Sequence, residues 1–217
     1  TPSTVFHLLM GLYVKDPEEK LTYLSPAPLY HAAPLRYCMA FLRGGATIVV
    51  MEKYEPEYAL QLIEKYKVNY SQWVPTMFIR MLKLDDEVRL KYDVSSMKGA
   101  IHAAAPCPVK VKEQMIDWWG PVLYEYYAGT EGNGFTSIDS HEWLTHKGSV
   151  GKSLLGELKI CNEEGNEVAQ GLEGDIYFAG GGKFEYHGDK EKTKKSHHKE
   201  GWSTLGDVGY VDEEGYL

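Results

Sequence analysis

Val122-Leu123-Tyr124-Glu125-Tyr126-Tyr127-Ala128-Gly129-Thr130-Glu131 decides how this chain is read. Val122–Tyr126 has the aliphatic and aromatic composition of a strand, and Ala128-Gly129 ends it in a small-residue turn. Consecutive strand residues point to opposite faces, so only one of Tyr126 and Tyr127 reaches a cleft beyond the strand end; the other belongs to the core or supports its neighbour. A tyrosine ring stacks on a base, a hydroxyl and turn amides bond phosphate oxygens, and a carboxylate takes a hard cation. Downstream, Gly206-Asp207 adds a second carboxylate suited to accept from ribose hydroxyls. Tyr127, Thr130, Glu131 and Asp207 therefore form a set of residue types fit to handle ATP. Their ordinary roles stay open beside this one, since Glu131 also reads as a helix-start carboxylate and Gly-Asp as the start of a turn.

Outward from that stretch, short apolar runs alternate with helix-like segments from Leu21 to about Ile138, the pattern of a βα-layered unit with a largely parallel sheet. A helix from about Pro34 to Gly44-Gly45 leads to a buried strand over Ala46–Met51. Glu55–Tyr66 places Tyr58, Leu62 and Tyr66 at helical spacing. Asn69–Val74 follows as a strand, Thr76–Leu82 as a helix, Gly99–Ala103 as a strand and Pro108–Trp119 as a helix. Ligand-binding loops of such sheets lie beyond the carboxyl ends of the strands, and both small-residue segments, Ala103–Pro106 and Ala128–Gly132, follow strands there. From about residue 140 the character changes. Glu157–Cys161, Gly174–Ala179 and Val208–Val211 are short strands, with turns at Glu163-Glu164-Gly165 and Asp212-Glu213-Glu214-Gly215, so a smaller antiparallel, barrel-like β-rich unit is expected. The fold class is thus α/β, with residues 1–140 in the layered subdomain and 141–217 in the β-rich one. Lys190–Glu200 reads as a charged, exposed loop.

The 217 residues are 43% hydrophobic with a formal charge of −8, enough for a substantial core and without the basic face of a nucleic-acid binder. Cys38, Cys107 and Cys161 form no Cys-x-x-Cys pair and suggest neither a disulfide framework nor a zinc site, which fits the cytoplasm. No run approaches the roughly 20 apolar residues of a membrane span. Gly148-Ser149-Val150-Gly151-Lys152-Ser153 ends like a phosphate-binding Walker loop, but His146 stands where its first glycine belongs. Gly180-Gly181-Gly182-Lys183 lacks the partner glycine as well. His197-His198 has no third ligand at metal spacing and reads as a solvated pair.

Taken in order, these blocks resemble the acyl-adenylate-forming enzymes, the superfamily of acyl-CoA synthetases, luciferases and the adenylation domains of peptide synthetases. Tyr127–Glu131 is similar to its Tyr-Gly-x-Thr-Glu motif. Gly201-Trp202-Ser203-Thr204-Leu205-Gly206-Asp207, with the residues on to Leu217, is similar to its Gly-Trp-x-x-Thr-Gly-Asp block. Pro28-Leu29-Tyr30-His31 resembles its Pro-Leu-Phe-His segment, Ala103-Ala104-Ala105-Pro106 its Gly-Gly-Ala-Pro loop, and Gly148-Ser149-Val150-Gly151 a further marker. Two positions depart from the pattern. Ala128 replaces a glycine, which a methyl tolerates where the backbone has negative φ but not in a left-handed turn. Leu205 replaces a threonine, so any contact by that hydroxyl is lost.

The resemblance implies an acid–thiol ligase of the fatty-acid–CoA ligase kind: a carboxylate attacks the α-phosphate of ATP to give acyl-AMP and pyrophosphate, and coenzyme A then displaces AMP. Such displacements need positioning and charge neutralisation more than a protein nucleophile. By resemblance Thr130 bonds the α-phosphate, Glu131 holds Mg2+ and Asp207 bonds the ribose. Tyr127, Ala128 and Gly129, with Ala103, Ala104 and Ala105, surround the adenine and phosphates. Tyr30 and His31 border the acyl carboxylate, and Trp73 and Met77 line the acyl pocket, though apolar residues at a strand end are core by default. A histidine at position 31, where amino-acid-activating relatives carry an aspartate, favours an unaminated acid, whether fatty, aryl or steroid-like. The family's phosphate loop is expected upstream of Thr1 and its lysine-bearing C-terminal domain after Leu217, so the segment alone is expected to be inactive. A relative with a different second step, and a nucleotide-binding module without catalysis, remain as alternatives.

Overall fold

The computed structural model describes residues 4–16 and 18–217 and divides into two compact units, Thr1–Tyr124 and Glu125–Leu217. The division falls ahead of residue 140, where the sequence pattern changes character. The first unit contains α1 (Thr4–Tyr13), β1 (Thr22–Ser25), α2 (Ala32–Arg43), β2 (Thr47–Val50), α3 (Pro56–Tyr66), β3 (Tyr70–Trp73), α4 (Pro75–Leu82), α5 (Asp86–Arg89), β4 (Gly99–His102), α6 (Val109–Trp119) and the first residues of β5 (Leu123–Tyr127). Its strands run parallel in the order β2-β1-β3-β4. β1, β3 and β4 are buried at every position, as strands covered on both faces must be.

β2 departs from the expected buried strand: Thr47 and Val50 are exposed and Ile48 and Val49 only half-buried, because β2 lies at the edge of this order. In α3 the buried residues are Ala59, Leu60, Leu62 and Ile63, while Tyr58 and Tyr66 are 50% and 43% exposed. The expected Tyr58–Leu62–Tyr66 stripe keeps only its middle member. The small aliphatic residues one position over fit closer to the layer, and the two phenols reach water. Both α3 and α4 begin on a proline, whose fixed φ and missing N–H suit a first helical turn.

The core of this unit is aromatic. Trp73 is wholly buried, edge-on to Trp119 at 5.6 Å and to Tyr54 at 6.3 Å, and Tyr23 stacks on Phe41 at 4.6 Å. His102, at the end of β4, lies edge-on to Phe78 at 5.5 Å; its burial, aided by the Lys112 charge, holds it well below the usual imidazole range.

The second unit contains the rest of β5, then β6 (Phe135–Asp139), α7 (Ser140–Thr145), β7 (Lys152–Leu155), β8 (Glu157–Cys161), β9 (Gly174–Ala179), α8 (Lys190–Lys195) and β10 (Ser203–Gly209). β6 and β7 pair antiparallel, and a separate antiparallel sheet has the order β10-β9-β8. Ile160, Ile176 and Phe178 form its buried centre, with Tyr127, Leu158, Val168, Val211 and Leu217 packed around them. α7 begins at a capping box, Asp139 accepting from the backbone of Glu142 while the Glu142 side chain accepts from that of Asp139. Both expected turns form, closed by Gly165 N–H to Asn162 O and Gly215 N–H to Asp212 O. β10 begins five residues before the expected Val208, since Ser203 and Thr204 already pair with Phe178 and Tyr177.

Lys190–Glu200 is largely exposed, as its charge suggested, but it is not an irregular loop throughout. Lys190–Lys195 is helical and its N-cap Asp189 accepts from Lys192 N. His197 and His198 are likewise tied down rather than solvated, at Thr193 O and Gly165 O, both at 2.8 Å. All three cysteines are free, and among the described residues no helix is long and apolar enough to cross a membrane.

The buried titratable groups set a pH window for the first unit. Burial raises the phenols of Tyr54 and Tyr70 above their usual range, with Glu55 and Glu19 adding to it. On unfolding these phenols ionise near pH 10 and His102 protonates near pH 6.5. The unfolded state therefore binds more protons below about pH 6.5, and fewer above about pH 10, than the folded state. Burial also raises the Cys38 thiol, so stability in urea is expected to be flat only from about pH 6.5 to about pH 8.5, and to fall outside that range by about 1.4 kcal/mol per pH unit for each group titrating. His102→Gln should remove the fall between about pH 6.5 and about pH 4 and leave the alkaline limb, while the carboxylate Asp93, lowered by the Ser95 and Lys67 hydrogen bonds, still acts below about pH 4; an unchanged fall over that range would contradict this origin.

Candidate functional site

β5 carries Tyr127 out of the core of the second unit to the rim of its sheet. The half-buried ring lies 6.1 Å from that of Phe178, nearly parallel, and the Tyr127 N–H donates to Thr136 Oγ1. From this base the Tyr127 hydroxyl donates to Asp207 Oδ2 at 2.7 Å, joining positions 80 residues apart. Burial, that hydrogen bond and the nearby Glu131 charge hold the phenol above its ordinary range, so it remains a donor at neutral pH. Asp207 is exposed, and its neighbour Gly206 has φ +90, a left-handed conformation that lets β10 bulge between Thr204 and Val208.

Glu131 lies on the same unit. Its Oε1 accepts from the Tyr186 hydroxyl at 2.8 Å, and its Oε2 lies on the side of Gly129. Gly129 has no left-handed φ, and a Cβ there would stand 2.6 Å from Glu131 Oε2 and 2.6 Å from Leu205 Cδ2, so a larger residue would have to push these two side-chain ends aside. Leu205, at the position expected to carry a threonine, uses its side chain to cover that glycine. Among the described non-glycine residues only Lys67 and Ala104 have positive φ, so Ala128 carries its methyl without backbone strain. Thr130 is exposed at the turn between Gly129 and Glu131.

The surrounding frame is rigid. Asn133 is buried and its Nδ2 donates to Ser203 O, tying the turn after Glu131 to the start of β10. A Cβ at Gly134 would overlap the Phe178 ring, and one at Gly181 the Asn133 carbonyl. The glycine run at 180–182 is thus a packing surface, not a phosphate loop. The Gly148–Gly151 turn is also structural: Ser149 Oγ donates to Leu217 O at 2.6 Å and accepts from Gly151 N at 2.9 Å.

Two carboxylates, each held by a tyrosine, and an exposed hydroxyl can bind polar ligands without a nucleophile of their own. Among the described residues no three of His, Cys, Asp and Glu cluster as metal ligands. A single carboxylate with one oxygen already engaged is nonetheless the donor set that suits Mg2+, which keeps its waters and takes one or two carboxylates plus substrate phosphates.

In the first unit Ala103 is buried at the end of β4, and Ala104, Ala105 and Pro106 are exposed beyond it. Ala104 has φ +76, a conformation costly for any residue with a Cβ. Tyr30 is 84% exposed with its ring 4.4 Å from that of His31, which caps α2 through its extended backbone. Trp73 and Met77 lie in the core: Trp73 Nε1 donates to Ser71 Oγ, and the Met77 carbonyl accepts from Tyr54 at 2.8 Å. Sequence reasoning missed Tyr186 and Asn133. The signal for Tyr186 was an aromatic pair, Phe184 and Tyr186, beside an otherwise charged run; for Asn133, a position inside a glycine-rich turn, there was none.

A family model described as AMP-binding enzyme matches residues 3–185. A probable CoA ligase of Humulus lupulus is 31% identical over 202 residues, covering 90% of this chain and 37% of that protein. A long-chain-fatty-acid–CoA ligase of Bacillus subtilis is 29% identical, covering 94% and 36%. The chain thus spans little over a third of the length of these curated relatives. Among solved structures, o-succinylbenzoate CoA synthetase of Bacillus subtilis with its acyl-adenylate intermediate aligns over 98% of this chain and 43% of that one, with TM-score 0.80 and 21% identity. The amide bond synthetase McbA of Marinactinospora thermotolerans aligns over 98% of this chain and 42% of that one, with TM-score 0.81 and 22% identity. At these identities the two structures share the fold.

The strained loop after β4 yields a direct expectation. Ala104→Gly relieves a left-handed alanine at the cost of a more flexible unfolded chain, and should raise stability by about 1 kcal/mol, read from the urea midpoint. A lower midpoint would show that the alanine methyl is held by contacts that outweigh the strain.

Proposed function

This chain belongs to the AMP-binding enzyme family, and on that premise we propose that it is the nucleotide-gripping segment of an ATP-dependent carboxylic acid–CoA ligase. The observation that carries the proposal is the 2.7 Å bond from Tyr127 to Asp207, which unites the Tyr127–Glu131 turn and the Gly206-Asp207 turn in one site. A nucleotide needs such convergence, because its base, ribose and phosphates are separate groups read by separate side chains.

In this reading the exposed Asp207 carboxylate accepts from the ribose hydroxyls. The Tyr127 ring, kept neutral and fixed by Asp207, flanks the adenine. Thr130 donates to the α-phosphate, and Ala128 and Gly129 let the backbone approach it. Glu131 holds Mg2+, which when bound neutralises phosphate charge as the acid's carboxylate displaces pyrophosphate. For the first unit, resemblance assigns Ala103–Ala105 to the adenine and Tyr30 with His31 to the acid. Trp73 and Met77 would shape the acyl pocket as core residues behind it. The substrates are a fatty, aryl or other unaminated carboxylic acid, ATP and the thiol of coenzyme A. The free cysteines suit a reducing compartment such as the cytoplasm.

ATP–pyrophosphate exchange by the protein that contains this chain, over a panel of fatty, aryl and steroid-type acids, tests the proposal. Exchange should depend on one class of acid and fall about a hundredfold in Glu131→Ala. Binding of ATP with no exchange for any acid would instead favour a nucleotide-binding module without catalysis.

A further inference from the structure

The Tyr186–Glu131 contact joins positions 55 residues apart and is not supplied by the motif that contains Glu131. Tyr186 is itself held by three further contacts. Its N–H donates to Thr193 Oγ1 at 2.9 Å, Lys192 Nζ lies 3.9 Å from its ring centroid, and Phe184 meets it edge-on at 5.4 Å. Phe184 in turn packs on His197 at 4.8 Å, and Ser196 O accepts from Thr204 N at 3.0 Å, which fixes α8 to β10. The charged segment is therefore a clamp that ends on one carboxylate oxygen.

A glutamate has three rotatable bonds and, left alone, samples many positions of its two oxygens. A phenol donated to Oε1 restricts that freedom and holds Oε1 engaged, with Oε2 on the Gly129 side. The distinction matters for a cation. Ca2+ takes carboxylates through one or both oxygens in flexible shells of six to eight ligands, whereas Mg2+ demands a near-ideal octahedron.

We propose that Tyr186 is a positioning residue that confines Glu131 to ligation through one oxygen and thereby favours Mg2+ over Ca2+ in the nucleotide complex. The proposal rests on the assignment of Glu131 to the metal made above. Outer partners of this kind orient the ligand itself, and their loss typically costs 10–100-fold in metal affinity.

The test is binding rather than turnover. Affinity for ATP is measured by calorimetry with no divalent ion, with Mg2+ and with Ca2+, for wild type, Tyr186→Phe, Glu131→Gln and the double variant. Tyr186→Phe should leave metal-free binding unchanged, weaken the Mg2+-dependent gain about tenfold and spare the Ca2+-dependent gain. In the Glu131→Gln background it should add nothing. Equal losses in all three conditions, or an intact Mg2+ preference, would overturn the assignment. If Tyr186→Phe does not fold, Lys192→Ala, which removes only the cation over the ring, should shift the preference in the same direction by about threefold; no shift would overturn it. Wild-type protein that binds no ATP under any condition would refute the proposed function itself, and the role of Tyr186 with it, whereas ATP binding with an insensitive Tyr186→Phe would refute the role alone.

Discussion

The hydrogen bond from Tyr127 to Asp207 is the constraint on which the second unit's site depends. An exposed aspartate on a glycine turn is mobile, and a surface interaction is ordinarily worth little because its partners must be immobilised to form it. Here the cost has already been met elsewhere. Tyr127 is placed by β5 and the Phe178 ring, and Asp207 by a bulged strand whose start is bonded to Asn133. The donor and the acceptor therefore meet because two pieces of backbone are fixed, and the bond reports that fixation.

The glycines serve the same end. Gly134 admits the Phe178 ring, Gly181 admits the Asn133 carbonyl, and Gly129 leaves room for Glu131 and Leu205. Gly134 and Gly181 are needed for close approach, since a ring and a backbone carbonyl stand where their Cβ atoms would be. The first unit reaches its loops differently, through parallel strands wholly buried except at the β2 edge and a core of stacked and edge-on aromatics. Outside the left-handed cap Lys67 at the end of α3, its positive φ falls at Ala104, one residue beyond the last buried position of the β4 end. Strain at a loop that follows a rigid strand is the pattern expected of a ligand-facing segment.

Much of this was legible in the sequence, and the failures have a common cause. β8 and β9 fall at the residues expected to form short strands, and both contribute to the Ile160–Phe178 core. The motif residues Tyr127, Glu131 and Asp207 were legible as residue types, and the structure brings Tyr127 and Asp207 together. What periodicity did not disclose was which side of a helix faces inward when both sides offer apolar residues, as in α3, or whether an apolar run is central or at an edge, as in β2. Nor did charge disclose that one lysine of α8, Lys192, lies over an aromatic ring. Tyr186 and Asn133 act through contacts 55 and 70 residues away, which no local pattern contains.

The most direct measurement is NMR of the chain with 13C-labelled tyrosine rings, assigned by substitution at 127 and 186 and titrated with Mg-ATP. The account requires that both resonances move together with saturation of a single site, while those of core phenols such as Tyr23 stay in place. Saturable binding that leaves Tyr127 and Tyr186 unmoved would place the nucleotide elsewhere and contradict the central claim.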